Sequence, residues 1–150
     1  MSITKKDEFF YGTEQGDIRE VLADYAKEND YEIHQFKEVV CTCGNNTFTL
    51  DIDDNEGVAG RICTACEDEH LMLDGEDYVD DAELYQATCN CEAEALEITI
   101  GVSLYKNKKD LTKNVRWLYI GCRCPECHLM GCYADWKNEH EDYQQLLENA

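Results

Sequence analysis

Eight of the ten cysteines stand in close pairs, and the pairs come in the same order twice. Cys41 and Cys43 are followed by Cys63 and Cys66. Cys89 and Cys91 are followed by Cys124 and Cys127. Each set reads C-x-C…C-x-x-C. A short-range pair aims two sulfurs from one tight turn. Two such pairs at the ends of a hairpin supply the four soft ligands that a tetrahedral dication needs. The spacing therefore predicts two Zn²⁺ ions per chain, both structural. The competing use of so many cysteines is a disulfide framework, which belongs to secreted chains. The stretch MSITKKDEFFYGTEQGD has no apolar h-region, so no signal peptide is expected and a reducing cytoplasm is the expected location.

Between the pairs the residues alternate as strands do. Phe36 to Cys41 leads into the first pair. Phe48, Leu50 and Ile52 share one face of a strand over Thr47 to Ile52, and Asp53 to Gly57 form a turn. Val58 to Ile62 returns to the second pair, and His70 to Leu73 is a third strand. The second half repeats this order. Leu84 to Thr88 enters Cys89, and Leu96, Ile98, Ile100, Val102 and Leu104 alternate cleanly. The loop Lys106 to Asp110 begins a turn. Val115 to Gly121 returns, and Leu129 to Trp136 follows. The longer gap between the second set of pairs is expected to lie in the hairpin loop, where insertions are tolerated. Ile18, Val21, Leu22 and Tyr25 make one apolar stripe on a helix from Asp17 to Asn29. A short helix over Glu141 to Glu148 docks Tyr143, Leu146 and Leu147. The first ten residues read as frayed or peripheral.

The paired cysteines on hairpins resemble the zinc ribbon, a broad family of small β-folds, over about residues 36–137. The resemblance implies a structural metal and no particular activity. Ordinary ribbons carry C-x-x-C in both knuckles, whereas both copies here begin with C-x-C. The order C-x-C…C-x-x-C is also similar to the zinc centre of the redox-regulated heat-shock chaperone, which implies a zinc-thiol redox switch as an alternative. The fold class expected is α+β, mostly β: two tandem zinc-ribbon-like β units with an N-terminal helix and a short C-terminal helix. The segments are 1–35, 36–83, 84–137 and 138–150.

Two cysteines are left over. Cys122 lies two residues before Cys124, and His128 directly follows Cys127. The plainest use of Cys122 and Cys132 is burial as small apolar residues; Cys122, Cys132 and His128 are otherwise alternative ligands for the second site, and Cys122 with Cys132 an alternative redox pair. Cys124-Pro125-Glu126-Cys127-His128 also matches the pattern for c-type haem attachment, but the metal reading uses the same cysteines and accounts for the others. Asp51, Asp53 and Asn55 begin like a calcium loop, yet Glu56 and Ile62 stand where glycine and glutamate are required.

The charge narrows the partners. The chain has 33 acidic and 13 basic residues, a formal net charge of −20. Such a field repels nucleic acid and anionic membranes and attracts basic proteins. No Gly-rich phosphate loop and no nucleophile motif occurs, and four-cysteine sites leave no open coordination position. The function expected is a non-enzymatic, acidic zinc-binding protein that binds a basic protein partner, such as an immunity or antitoxin protein neutralising a cationic toxin. Asp74, Glu76, Asp77, Asp80 and Asp81, in the acidic stretch Asp74 to Glu83 that reads as a linker between the halves, are the expected contacts. A nucleic-acid-associated ribbon is the other alternative. It would use the basic cluster Lys106, Lys108, Lys109, Lys113 and Arg116.

Overall fold

The computed structural model describes residues 3–7 and 9–150. Its strands are β1 (Thr4–Lys6), β2 (Phe9–Tyr11), β3 (Gln35–Glu38), β4 (Phe48–Asp53), β5 (Val58–Cys63), β6 (Glu69–Leu71), β7 (Tyr85–Ala87), β8 (Glu97–Asn107), β9 (Asp110–Arg123) and β10 (Leu129–His140). Helix α1 is Ile18–Glu28 and α2 is Tyr143–Glu148. The strands form two antiparallel sheets, β1-β2-β10-β9-β8-β3 and β6-β5-β4-β7. The fold is α+β and mostly β, with an N-terminal helix and a short C-terminal one. No helix among the described residues is long and apolar enough to cross a membrane.

The duplication seen in the cysteines extends to the hydrogen-bond register. Phe48 pairs with Cys63, Leu50 with Arg61 and Gly60 with Leu71. At the places of the second half that correspond to the last two pairs, Ile98 pairs with Cys122 and Gly121 with Cys132. Phe48 and Leu96 are equivalent positions, and they pair with each other: each donates its N–H to the other's carbonyl, at 2.9 and 2.8 Å. The two halves are therefore joined about a local dyad.

Hydrogen bonding crosses the midpoint of the chain in both directions. Strand β3, from the first half, pairs with β8 of the second: Lys37 with Ile100 and Glu38 with Thr99. Strand β7, from the second half, pairs with β4 of the first: Tyr85 with Ile52 and Gln86 with Asp51. Each half lends its leading strand, the one that enters its C-x-C pair, to the other half's sheet. The main core is accordingly continuous. It contains Phe48, Leu50 and Ile52 with Leu96, Ile98 and Ile100, and also the buried cysteines Cys41, Cys63, Cys89 and Cys124. Leu146 and Leu147 of α2 close one side of it. The Asp142 carboxylate caps that helix by accepting from the Gln144 N–H at 3.0 Å.

The second face of the six-stranded sheet carries α1. Ile18, Val21, Leu22 and Ala26 bury against Tyr119 and Met130. Tyr25, expected in that stripe, instead lies at its flank, 41% exposed. It meets the Tyr119 ring edge-on at 5.9 Å and bonds Asp135 through its hydroxyl. Asp30, in the left-handed region at φ 65°, ends the helix.

Three expectations need correction. The extra residues of the second hairpin lengthen its strands and not its loop. Asn107 pairs with Asp110 across a turn formed by Lys108 and Lys109, because the alternation through Val102 and Leu104 keeps one face in the core. Strands β1 and β2 pair antiparallel, Lys5 opposite Phe10, on the edge of the larger sheet, so the described part of this segment is peripheral and not frayed. The acidic stretch is folded, with short 3-10 turns at Gly75–Asp77 and Val79–Asp81.

Gly121 marks where α1 touches the sheet. A Cβ there would lie 2.6 Å from Ile18 and 2.8 Å from Leu22. Gly60 holds the corresponding place in the smaller sheet, where nothing would come nearer than 3.7 Å. Gly121→Ala should therefore cost about 1–3 kcal/mol through overpacking, and Gly60→Ala less than about 0.5 kcal/mol. Urea denaturation of the two variants measures this difference. Equal costs would show that α1 yields freely.

Candidate metal centres

Each centre is built from two turns of the same kind in both halves. In the first knuckle, the Cys41 N–H donates to the Asn45 carbonyl and the Gly44 N–H to the Cys41 carbonyl, both at 2.8 Å. In the second half Cys89 donates to Ala93 and Glu92 to Cys89, at 3.0 and 2.8 Å. The C-x-x-C knuckles match as well: Glu67 donates to the Cys63 carbonyl at 3.0 Å, and His128 to that of Cys124 at 2.9 Å. The residue that closes each turn has a positive φ: Gly44 at 95°, Glu67 at 64°, Glu92 at 75° and His128 at 73°. Only Gly44 is a glycine. Glu92→Gly and His128→Gly should each stabilise the fold by about 1 kcal/mol, because a side chain resists the left-handed region. Thermal melts of the two variants test this, and no gain would locate the strain elsewhere.

These turns bring the sulfurs together as the spacing predicts. Cys41, Cys43, Cys63 and Cys66 form one cluster, and Cys89, Cys91, Cys124 and Cys127 the other, with all sulfurs of a cluster within 4.8 Å of one another. The Sγ atoms of Cys41 and Cys66, and of Cys43 and Cys63, are 3.6 Å apart. In the second cluster Cys89 and Cys127 are 3.4 Å apart, and Cys91 and Cys124 3.6 Å. A tetrahedral ion with metal–sulfur bonds of about 2.3 Å separates its ligands by about 3.8 Å. The arrangement fits such an ion and no disulfide: all ten cysteines are free. Two four-cysteine sites of this shape can hold two structural metal ions, in a tandem zinc-ribbon-like arrangement.

The surroundings prepare the sulfurs for a cation. The Cys66 N–H, with the Asn45 amide and the Ala65 N–H, outweighs burial and holds the Cys63 thiol down to about 6. The Asn45 Nδ2 is 3.3 Å from that sulfur. Cys124 is lowered too: burial opposes the charge, but the N–H groups of Cys127 and Glu126 prevail. Cys66 goes the other way. The Asp68 N–H favours its thiolate, yet the sulfurs of Cys63 and Cys41 outweigh that and push it up to about 12. Burial pushes Cys89 up to about 12. Four thiolates this close repel one another, and a dication removes the conflict.

No protein-family model matches the chain, and neither a curated protein nor a solved structure matches it significantly.

The remaining candidates lie outside both clusters. Cys122 is fully buried in the main core. Cys132 packs with α1 on the opposite face of the sheet. Burial raises both thiols, and the sheet separates them. His128 is exposed at its turn. The other histidines have backbone partners: Leu104 N–H donates to His34, Asp142 N–H to His140, and His70 pairs with the Asn149 carbonyl. Asp53 is a turn cap, as its carboxylate accepts from the N–H groups of Glu83, Glu56 and Asn55 at 2.7, 3.2 and 3.0 Å. Those bonds, Glu83's first, hold it below the usual carboxylate range.

Of the expected partner contacts, Glu76, Asp77, Asp80 and Asp81 are exposed. Asp74 is half-buried, and both its oxygens accept from the Asn138 amide, at 3.1 and 2.9 Å. Burial raises its pKa. Of the basic cluster, Lys106, Lys108, Lys109 and Lys113 are exposed at the end of the β8–β9 hairpin. Arg116 is occupied: it lies 5.0 Å over the Tyr31 ring and donates to Ser103.

Proposed function

We propose that this chain is a non-enzymatic binding protein in which two zinc ions fix the fold and an acidic surface takes a basic protein partner. The observation that carries the reading is the pair of closed, equivalent four-cysteine clusters. Each supplies a full tetrahedron of ligands from protein side chains, which leaves no position for water or substrate. A tetrahedral set of four sulfurs suits zinc or iron. Zinc is favoured because it needs no redox partner and is the usual ion of ribbon-like knuckles. With the metal confined to structure, function falls to the surface, and the formal net charge of −20 selects cationic partners. A cytoplasmic immunity or antitoxin protein that covers a cationic toxin is the concrete form of this reading.

Native mass spectrometry of gently purified protein should find two zinc ions per chain. Iron, or no metal, would overturn the metal assignment. A pull-down from the native host at low ionic strength should recover a basic protein, with affinity falling steeply between low and physiological salt. A partner held equally well at all salt concentrations would refute the electrostatic part.

A further inference from the structure

The local dyad relates the paired strands of the two sheets residue by residue, yet among the described residues only the larger sheet carries a helix on its second face. On the six-stranded sheet, Thr99, Gly121 and Arg123 are buried under α1 and its approach. On the smaller sheet the equivalent Asp51, Gly60 and Ile62 are only half-buried. The acidic segment covers one end of that face, where a Cβ on Gly75 would lie 3.4 Å from Val58. Over Gly60 the face remains a shallow groove of about 470 Å³. On the sheet face Asp51 and Leu71 flank Gly60, and Glu69 lies opposite Ile62; Leu84 and Glu76 join them in the lining, so apolar and acidic side chains alternate across it. Two basic side chains also border it. Arg61 is committed to the Ala150 carbonyl at 3.0 Å and to the Phe48 ring at 4.7 Å, and His70 to Asn149.

We infer that this groove receives an amphipathic helix of a basic partner protein, seated over Gly60 as α1 is seated over Gly121. Ile62, Leu71 and Leu84 take a short stripe of aliphatic side chains, and Asp51, Glu69 and Glu76 take the lysine or arginine beside it. Shape comes from the fold itself, since the same register already accepts Ile18 and Leu22 on the other sheet. Charge selects the occupant. A second copy of this chain would bring its own α1, with Glu20, Asp24 and Glu28, against Asp51, Glu69 and Glu76, within a like-charged pair of molecules. The inference rests on the basic-partner reading and locates the contact on the face of a sheet, where the sequence had placed it in the acidic stretch.

The test uses the zinc-loaded, isotope-labelled chain and a synthetic peptide. The peptide spans residues 15–29 and carries Glu20→Lys, Asp24→Lys and Glu28→Lys, which keeps the apolar stripe and reverses its flanks. Amide shifts should saturate at one peptide per chain and cluster at Gly60, Ile62 and Leu71. Gly60→Leu, which fills the groove, and Glu69→Lys should each weaken binding about tenfold or more. Gly131→Leu, where an added Cβ meets nothing within 4 Å, should leave it unchanged. If Gly60→Leu misfolds, Glu69→Lys with Glu76→Lys carries the test. Shifts confined to residues 74–83, or to Gly121 and Met130, would overturn the groove and leave the basic-partner reading standing. Shifts at Gly60 that grow with protein concentration, without peptide, would assign the groove to a second copy. No binding of the peptide or of any cationic protein would remove both readings.

Discussion

Replacing Cys41 with serine should unfold both halves of the molecule, not one. The direct loss is one sulfur of a four-cysteine cluster, and a structural zinc held there would contribute on the order of 10 kcal/mol to the fold. A chain of this size has about 5–15 kcal/mol of stability in all, so one failed centre is enough. The exchange of leading strands then spreads the damage. Strand β3 runs directly into Cys41, but it is hydrogen-bonded to β8, in the sheet that carries the other centre. Cys41 itself lies in the core that Leu96, Ile98 and Ile100 complete. Once the first knuckle opens, the second sheet loses its edge strand and part of its interior. Titrating the wild-type protein with a zinc chelator, followed by circular dichroism, should give a single cooperative transition with both ions released together. Cys41→Ser should bind at most weakly to the second ion and show few dispersed amide signals. Cys122→Ala is the control, because that thiol is buried but outside both clusters. It should keep two ions and lose about 1–2 kcal/mol. Two separate transitions, with the second half intact in Cys41→Ser, would show that the halves fold independently in spite of the exchange.

The cysteine framework was legible in the sequence because a knuckle is a local object. The spacing in Cys41-Thr42-Cys43 or Cys124-Pro125-Glu126-Cys127 decides which way the sulfurs point, whatever the rest of the chain does. The strands were legible for a similar reason: alternation such as Leu96, Ile98, Ile100 reports one buried face. Which strand lies beside which is a different kind of fact. The segment around Phe36 and that around Tyr85 read as the openings of their own units. Their partners, Gly101 and Ile52, are decided by a dyad that depends on both halves at once. The reach of β8 and β9 beyond the loop, and the small hairpin at Lys5 and Phe10, follow from edges supplied by distant residues. The groove over Gly60 was hidden for the same reason. A half-buried glycine carries no signal until its twin, Gly121, is seen under a helix.

The equivalence of the halves also makes the buried ion pair replaceable. Arg123 and Glu97 face each other across β9 and β8, with Arg123 donating to the Glu97 carboxylate at 2.9 Å. Their side chains are 7% and 11% exposed. Glu97→Ala leaves the guanidinium charge buried without its partner and should cost about 3–5 kcal/mol. In the first half the equivalent positions are Ile62 and Thr49, also paired across their strands, and that half folds with no charge there. Glu97→Thr combined with Arg123→Ile imports the first half's solution. It should restore stability to within about 1 kcal/mol of wild type, since well-packed apolar groups often replace a buried pair at no net loss. Urea denaturation of the zinc-loaded proteins gives both numbers. If the double variant is as unstable as the single one, the pair is needed for packing that the other half obtains differently. Recovery would leave a narrower role for Arg123, whose Nε also donates to the Gly12 carbonyl at 2.8 Å. Gly12 in turn donates to the His128 carbonyl at the second knuckle. The double variant should then exchange the amide hydrogens of β1 and β2 faster while its core remains protected, because what it lacks is the tie that holds the amino-terminal hairpin against the metal centre.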